Sequence, residues 1–181
     1  MTSSILLACL TAVMISAPAP GSSPIRVNEM AAGTTGFIEL TNTGNAAVDI
    51  GGWVIRSCRN GRTTPLATFP LGTELPANAF FLVVGRDFTG TAERLLFAES
   101  IDPSGATLRN ANGARIDGVG FTDNSPCREG TPSEQCAYSS LGRDSLSRDT
   151  DDNATDFTCQ LTTPDQVNEM APSSRRHLTE T

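Results

Sequence analysis

The amino-acid sequence predicts an all-β fold in which two sheets pack face to face as a sandwich. Residues 36–44 and 48–55 alternate apolar and polar side chains with the two-residue period of strands, and Asn and Gly interrupt them where turns are needed. The second run contains Trp53, the only tryptophan of the chain, in a position typical of a large side chain between two sheets. These observations specify a fold class and no chemistry.

The strands of the first half follow the same pattern. We predict strands at residues 25–30 and 37–41, and a kinked pair at residues 48–55. After an Asn-Gly turn at residues 60–61, a short strand is expected at residues 67–69, before a break and a bend rich in Pro, Gly and Asn.

The second half begins with the most apolar run of the chain after residue 21. Residues 79–85 are too short for a typical helix and rich in β-forming residues, so we expect them in the middle of a sheet. Residues 107–109 and 115–121 flank an Asn-Ala-Asn-Gly turn and predict a hairpin, because Asn and Gly tolerate positive φ. The total of seven or eight short strands is typical of an immunoglobulin-like sandwich.

The chain becomes polar after Phe121. Residues 122–156 are predicted to be a long loop held by its cysteines rather than by core packing. We expect the apolar side chains Leu141, Leu146 and Phe157 to be buried there. The side chains predicted to form the core are Trp53, Phe37, Phe81 and Phe157.

Length and charge limit the classes of function. The 181 residues fit one domain, placed at residues 22–168 and followed by a disordered tail at residues 169–181. The net charge of −7 argues against a nucleic-acid partner, because such proteins need clustered cations to displace counterions.

Residues 1–21 are predicted to be a signal peptide. The apolar run at residues 5–15 is too short to span a bilayer, and small residues and Pro follow it. Cleavage is expected near Ala19 or Gly21, although the segment has no Lys or Arg. Two alternatives stay open: a lipoprotein box ending at Cys9, and an apolar tail on a cytoplasmic protein.

Four cysteines remain once the signal peptide is removed, and an even number in an exported chain predicts two disulfides. Four cysteines allow three pairings, of which we favour Cys127 with Cys136 and Cys58 with Cys159. Zinc is the alternative, but no pair has the close spacing of a zinc site and no histidine lies nearby.

Catalytic residues are hard to find in this sequence. The single histidine, His177, lies in the tail without a motif, which removes the usual general base. A pair of carboxylates could still act in acid–base catalysis, but no pair stands out. We expect Glu39 to face solvent or to accept hydrogen bonds from a neighbouring turn, and Trp53 to fill the core rather than to stack on a ligand.

One acidic stretch could bind a cation. Asp149, Asp151, Asn153 and Asp156 place oxygen ligands at spacings that calcium uses in a single loop. The stretch departs from a calcium-binding hand, because alanine replaces the glycine of the sharp turn and glutamine replaces the closing glutamate. The alternative is a solvated acidic loop whose side chains bond their own backbone. No other cofactor is predicted.

A series of short motifs recurs in a characteristic order along residues 25–168. They are Ile25-x-Val27-Asn28-Glu29, Phe37-Ile38-Glu39-Leu40-x-Asn42, Val48-Asp49-Ile50-x-Gly52-Trp53, Phe69-Pro70-x-Gly72-x-x-Leu75-Pro76, Phe81-Leu82-Val83-Val84, Ile116-Asp117-x-Val119, Ser140-Leu141-x-Arg143, Asp151-x-Asn153-x-x-Asp156-Phe157 and Thr163-Pro164. In these motifs the chain resembles the bacterial branch of the lamin-tail domain family. The resemblance implies an immunoglobulin-like sandwich and no activity, and bacterial members look like secreted or surface-attached modules.

The sequence therefore predicts an exported, non-catalytic interaction module that acts at the cell surface or outside the cell. Its expected partner is a protein or a cell-surface component, and no transmembrane segment is predicted. The alternatives are a calcium-stabilised structural or adhesive module and, third, a carboxylate-dependent hydrolase.

Overall fold

The computed structural model describes residues 23–136 and 139–169. The predicted signal peptide, residues 1–21, and residues 170–181 of the predicted tail lie outside the described residues. The elements are β1 (Ile25–Ala31), β2 (Phe37–Asn42), β3 (Val48–Asp49), β4 (Val54–Arg59), β5 (Arg62–Thr68), β6 (Glu74–Leu75), β7 (Phe80–Gly85), β8 (Leu95–Ala98), β9 (Gly105–Arg109), β10 (Arg115–Gly120), β11 (Ser140–Gly142), α1 (Asn153–Asp156) and β12 (Thr158–Gln160).

The strands form two main sheets and a small ribbon. The six-stranded sheet has the order β12-β11-β1-β2-β7-β8, the four-stranded sheet has the order β10-β9-β4-β5, and β3 pairs with β6. Neighbouring strands are antiparallel, except that β7 and β8 are parallel. The predicted all-β, immunoglobulin-like sandwich is confirmed.

Most of the predicted strands are present. β7 has a neighbour on each side, as expected for the most apolar run. β5 is longer than predicted and contains Pro65, which an edge strand tolerates because its outer N–H groups have no ladder partner. Four strands, β6, β8, β11 and β12, were not predicted, because they have two to four residues each and are too short to show a period.

The main core lies between the two sheets. Ile38 and Leu40 on β2 and Ile55 and Leu108 on the opposite sheet are buried in one apolar cluster. Phe69 meets Phe81 edge to face, with ring centroids 5.0 Å apart, and Phe157 belongs to the same cluster. Trp53 packs against this core but is only half-buried, so it does not fill the centre of the sandwich as predicted.

The outer face of the six-stranded sheet is also covered. Phe37 is buried as predicted, but it forms a second cluster with Leu82 and Val84, because successive residues of a strand point to opposite faces. Phe88, in the connection between β7 and β8, packs on Phe37 with ring centroids 6.0 Å apart. The sheet therefore buries apolar side chains on both faces.

The polar region at residues 122–156 is more structured than predicted, because it contains β11 and α1. Leu141 is buried as expected, but Leu146 is 71% exposed. Leu146 lies in a tight turn in which Asp144 accepts its backbone N–H, and this turn directs the side chain into solvent. Buried charges hold this region in place alongside its cysteines.

Candidate functional site

Arg143 is the centre of a group of charged side chains that we call the Arg143 cluster. Arg143 follows β11 directly, and its side chain is fully buried. Three carboxylates surround the guanidinium: Asp117 lies 2.9 Å from Nη2, and Asp156 and Asp149 lie 3.0 and 3.3 Å from Nη1. The cluster also includes the side chains next to these carboxylates, Arg26, Arg115 and Glu129.

The other contacts of Arg143 are to backbone and to an aromatic ring. Nε donates to the Val27 carbonyl at 2.9 Å, and Nη1 donates to the Arg148 carbonyl at 2.8 Å. The Phe157 ring lies under the guanidinium, 4.5 Å from centroid to Cζ. A buried charge is tolerated only when it is paired and its donors are used, and Arg143 meets both conditions. It thereby ties β1, β10 and the segment before β12 together.

Two carboxyls of the cluster, those of Asp117 and Glu129, lie close enough to influence each other's titration. Oxygens of Asp117, Glu129 and Asp149 lie within 4.8 Å of one another. Burial raises the pKa of Glu129 to about 8, and the neighbouring Asp117 adds to the increase. Burial also raises the pKa of Asp117, and the Arg143 guanidinium opposes that increase.

The Asp117 carboxylate, next to Arg143, is closed to solvent. The side chain of Asp117 has no exposed surface, and its oxygens accept hydrogen bonds from the backbone N–H groups of Val27 and Gly118 at 2.7 and 2.6 Å. A protonated carboxyl beside an ionised one is hydrolase chemistry only where a substrate can reach both. The cluster therefore supports a structural role for these carboxylates.

The four residues predicted to bind calcium are placed in and around this cluster. Asp149 and Asp156 direct carboxylate oxygens at Arg143, so the cation that they surround is a guanidinium. Asn153 uses its side chain on the backbone: Oδ1 accepts the N–H groups of Gly120 and Glu129 at 2.9 and 3.0 Å. The fourth predicted ligand, Asp151, is exposed on the surface turn before α1. The structure gives three of the four side chains partners inside the protein.

A second pair of buried carboxylates lies on the outer face of the six-stranded sheet. Glu29 and Glu39 stand directly opposite each other on β1 and β2, and both are fully buried. Burial raises the pKa of Glu29, and it raises that of Glu39 to about 8. Of the two predicted roles for Glu39, exposure to solvent is wrong, because the carboxylate accepts the backbone N–H of Asp165, in a turn, at 2.6 Å.

These carboxylates fasten the C-terminal segment of the described chain across the sheet. Glu29 accepts the N–H of Thr163 at 3.1 Å and its hydroxyl at 2.9 Å. Asn168 is buried and donates to the carbonyl groups of Asn28 and Arg143 at 3.2 and 2.8 Å. Asn28 is the extra residue of a β-bulge in β1, which leaves its backbone and side chain free for these bonds.

The disulfides join different cysteines from those favoured by the sequence analysis. Cys58 pairs with Cys127, and Cys136 pairs with Cys159, with Cα atoms 6.0 and 5.5 Å apart. The predicted pairing of Cys127 with Cys136 is wrong, because the residues between them do not turn back as a hairpin. They run past β10 and α1, where Ser133 donates its N–H to Gly120 at 3.0 Å.

Three central members of the cluster were not predicted as site residues. Arg143, Asp117 and Glu129 are far apart in the sequence, and nothing local marks them as partners. The only signals were the short motifs around Ile116-Asp117 and Ser140-Leu141-x-Arg143, which carried the family resemblance without indicating a contact.

Comparison with known families decides the classification. The sequence profile of the lamin tail domain matches residues 18–123, more than half of the chain. The chain belongs to the lamin tail domain family. The matched part of this lamin tail domain contains β1 to β10, whereas Arg143 and its partners Asp149 and Asp156 lie beyond it. Comparison with curated proteins gave no match. Among the described residues, no helix has the length and apolar character needed to cross a membrane.

Proposed function

We propose that this lamin tail domain protein is exported and acts as a non-catalytic interaction module at the cell surface or outside the cell. The observation that carries the proposal is that all four cysteines of residues 23–136 and 139–169 are joined in two disulfides. Structural disulfides persist in oxidising compartments and are rare in the cytoplasm of most organisms. The predicted signal peptide at residues 1–21 supports the same compartment.

The buried charges support a binding role over catalysis. Arg143, Asp117 and Glu39 have no solvent-exposed surface and are engaged by other parts of the protein. The polar groups that remain available to another molecule lie on the surface of a rigid, disulfide-linked sandwich. Such a scaffold presents loops and sheet edges to a partner without reacting with it.

The proposal is tested by fractionating the native host into cytoplasm, envelope and medium and measuring the intact mass of the chain. We expect the chain in the envelope, or captured at the cell surface, without about the first twenty residues. Reduction should add the mass of four hydrogens, two for each disulfide. A full-length, reduced chain in the cytoplasm would overturn export. Free diffusion into the medium with no capture by any surface component would overturn the interaction role.

A further inference from the structure

A polar cleft lies at one end of the sandwich, between the β4–β5 hairpin and the connection from β8 to β9. We call it the hairpin cleft. Its volume is about 640 Å³, within the range of sites that bind small molecules or single units of a polymer. The polar side chains that line it include those of Ser57, Arg59, Arg62, Thr64, Ser100 and Asp102.

Two arginines stand directly opposite each other in the wall of the cleft. Arg59 and Arg62 are cross-strand partners on either side of the turn formed by Asn60 and Gly61. Both turn residues have positive φ, 52° and 70°, as two-residue hairpin turns require. The turn therefore determines the register, and it holds two like charges side by side, an arrangement that costs stability.

The charge of this arginine pair is only partly neutralised. Arg59 Nε lies 2.9 Å from Asp102 Oδ2, but its side chain remains 68% exposed. Arg62 is exposed and forms no ion pair and no side-chain hydrogen bond with any residue of the described chain. Two guanidinium groups and one carboxylate give the cleft a net charge of +1 in a chain whose net charge is −7.

A second pair of arginines in the same sheet has hydrogen-bond and ion-pair partners inside the protein. Arg109 and Arg115 are also cross-strand partners, on β9 and β10. There, Arg115 Nη2 lies 3.2 Å from Glu129 Oε1, and Arg109 donates to the Gly113 carbonyl at 2.8 Å. Each member of that pair has a partner inside the protein, and Arg115 Nη2 also donates to the Arg128 carbonyl at 3.0 Å. The hairpin cleft differs because the donors of Arg62 are open to an external anion.

We propose that the hairpin cleft binds a hydroxylated monocarboxylate, the chemistry of a uronic acid unit in an acidic polysaccharide. A guanidinium binds a carboxylate through two parallel hydrogen bonds, and Arg62 has these donors free. The net positive charge of the cleft attracts an anion, and because Asp102 is paired with Arg59, one guanidinium, that of Arg62, remains for a single carboxylate. The hydroxyl groups of Ser57, Thr64 and Ser100 can donate hydrogen bonds to sugar hydroxyls and accept them, and the carboxylate of Asp102 can accept them. The polysaccharide as natural source rests on the proposed function outside the cell.

The test is isothermal titration calorimetry on the purified, oxidised chain with a galacturonic acid oligomer and a neutral oligosaccharide of the same length. We expect measurable binding of the acidic oligomer only. Arg62→Gln should weaken it by roughly tenfold or more, because a charge-assisted hydrogen-bond pair is removed. Arg148→Gln is the matched control, since that side chain is 72% exposed, forms an ion pair with Asp144 and lies outside the cleft. This control variant should bind like the wild type.

Several results would overturn the proposal. They are equal affinity for the neutral oligosaccharide, an unchanged affinity of Arg62→Gln, stronger competition by inorganic phosphate than by glucuronate, and no heat of binding at about 10 mM oligomer. Circular dichroism and a melting curve of Arg62→Gln would establish that the variant is folded. Because the titration uses purified protein, its failure would leave the fractionation result for export unaffected.

Discussion

The Arg143 cluster and the hairpin cleft use the same type of side chain in opposite ways. Arg143 is fully buried and is surrounded by three carboxylates within 3.3 Å. Arg62 is exposed and has no carboxylate partner in the part of the chain that the structure describes. Both lie in a protein with an excess of acidic residues, so the difference comes from position in the fold and not from composition.

The difference follows from the cost of removing a charge from water. A buried guanidinium without carboxylates would be strongly unfavourable, so the fold brings Asp117, Asp149 and Asp156 to Arg143. An exposed guanidinium is solvated and needs no internal partner, which leaves it free to bind another molecule. In this protein the buried Arg143 has three carboxylate partners that the fold supplies, whereas the exposed Arg62 has none among the described residues.

Replacing Arg143 should have the largest effect on stability. Arg143→Met removes the cation from three carboxylates, and breaking a buried ion pair of this kind costs about 3–5 kcal/mol. Arg62→Gln is the matched variant from the cleft, and we expect its free energy of unfolding to lie within about 0.5 kcal/mol of the wild type. Urea denaturation measures both. A loss below about 1 kcal/mol for Arg143→Met, or a larger loss for Arg62→Gln, would contradict the comparison.

The Cys58–Cys127 disulfide connects the two regions, since Cys58 precedes Arg59 of the cleft and the Cys127 carbonyl accepts a hydrogen bond from Arg115 of the cluster. It closes 69 residues along the chain, compared with 23 for Cys136–Cys159. By the entropy of loop closure, replacing the first pair with serines should cost about 1 kcal/mol more than replacing the second. Chemical denaturation of the two double variants tests this order. The opposite order would indicate that native contacts outweigh chain entropy.

The dependence of stability on pH should originate in the buried carboxyls and not in the cleft. The pKa values of Glu129 and Glu39 in the folded protein are about 8, whereas their ordinary value is 4.5. Between these two pH values the folded state holds more protons than the unfolded state, so stability falls as pH rises from about 4.5 to 8. The lowered pKa of Asp144 acts in the opposite direction, but only at pH values near or below its ordinary 3.8.

Glutamine variants test this pH dependence, because an amide mimics the protonated carboxyl. Glu129→Gln and Glu39→Gln should each reduce the decrease in melting temperature between pH 5 and pH 8, with the larger relative gain at pH 8. The exposed residue Glu134 provides the control variant Glu134→Gln, which should keep the wild-type slope. Identical slopes for all variants would show that other groups control the pH dependence.

The smallest effect is expected from calcium. Asp149 and Asp156 already contact Arg143, and Asn153 bonds to the backbone, so their oxygens are engaged by the protein. Addition of calcium should therefore leave the melting temperature unchanged, as should magnesium in a parallel measurement. A rise with calcium that disappears in Asp151→Ala would contradict this expectation and would support the calcium-stabilised module.

The sequence predicted the sandwich from features that act over a few residues. The alternation in β1 and β2, the apolar run of β7 and the turn between β9 and β10 are each sufficient to identify a strand or hairpin. β11 and β12 have three residues each, and they exist because they extend a sheet that is already present beside β1. Their pairing depends on neighbours from distant parts of the chain, which a local pattern does not reveal.

The sequence by itself thus determined the fold class, the family resemblance and the presence of enough cysteines for two disulfides. Only the tertiary structure decided which cysteines pair and that Asp149 and Asp156 meet a guanidinium. It also showed that Arg59 and Arg62 line a cleft while Arg143 is buried. The physical reason is range: backbone propensity and side-chain alternation act between near neighbours, whereas ion pairs, disulfides and clefts require residues that the chain brings together only when it folds.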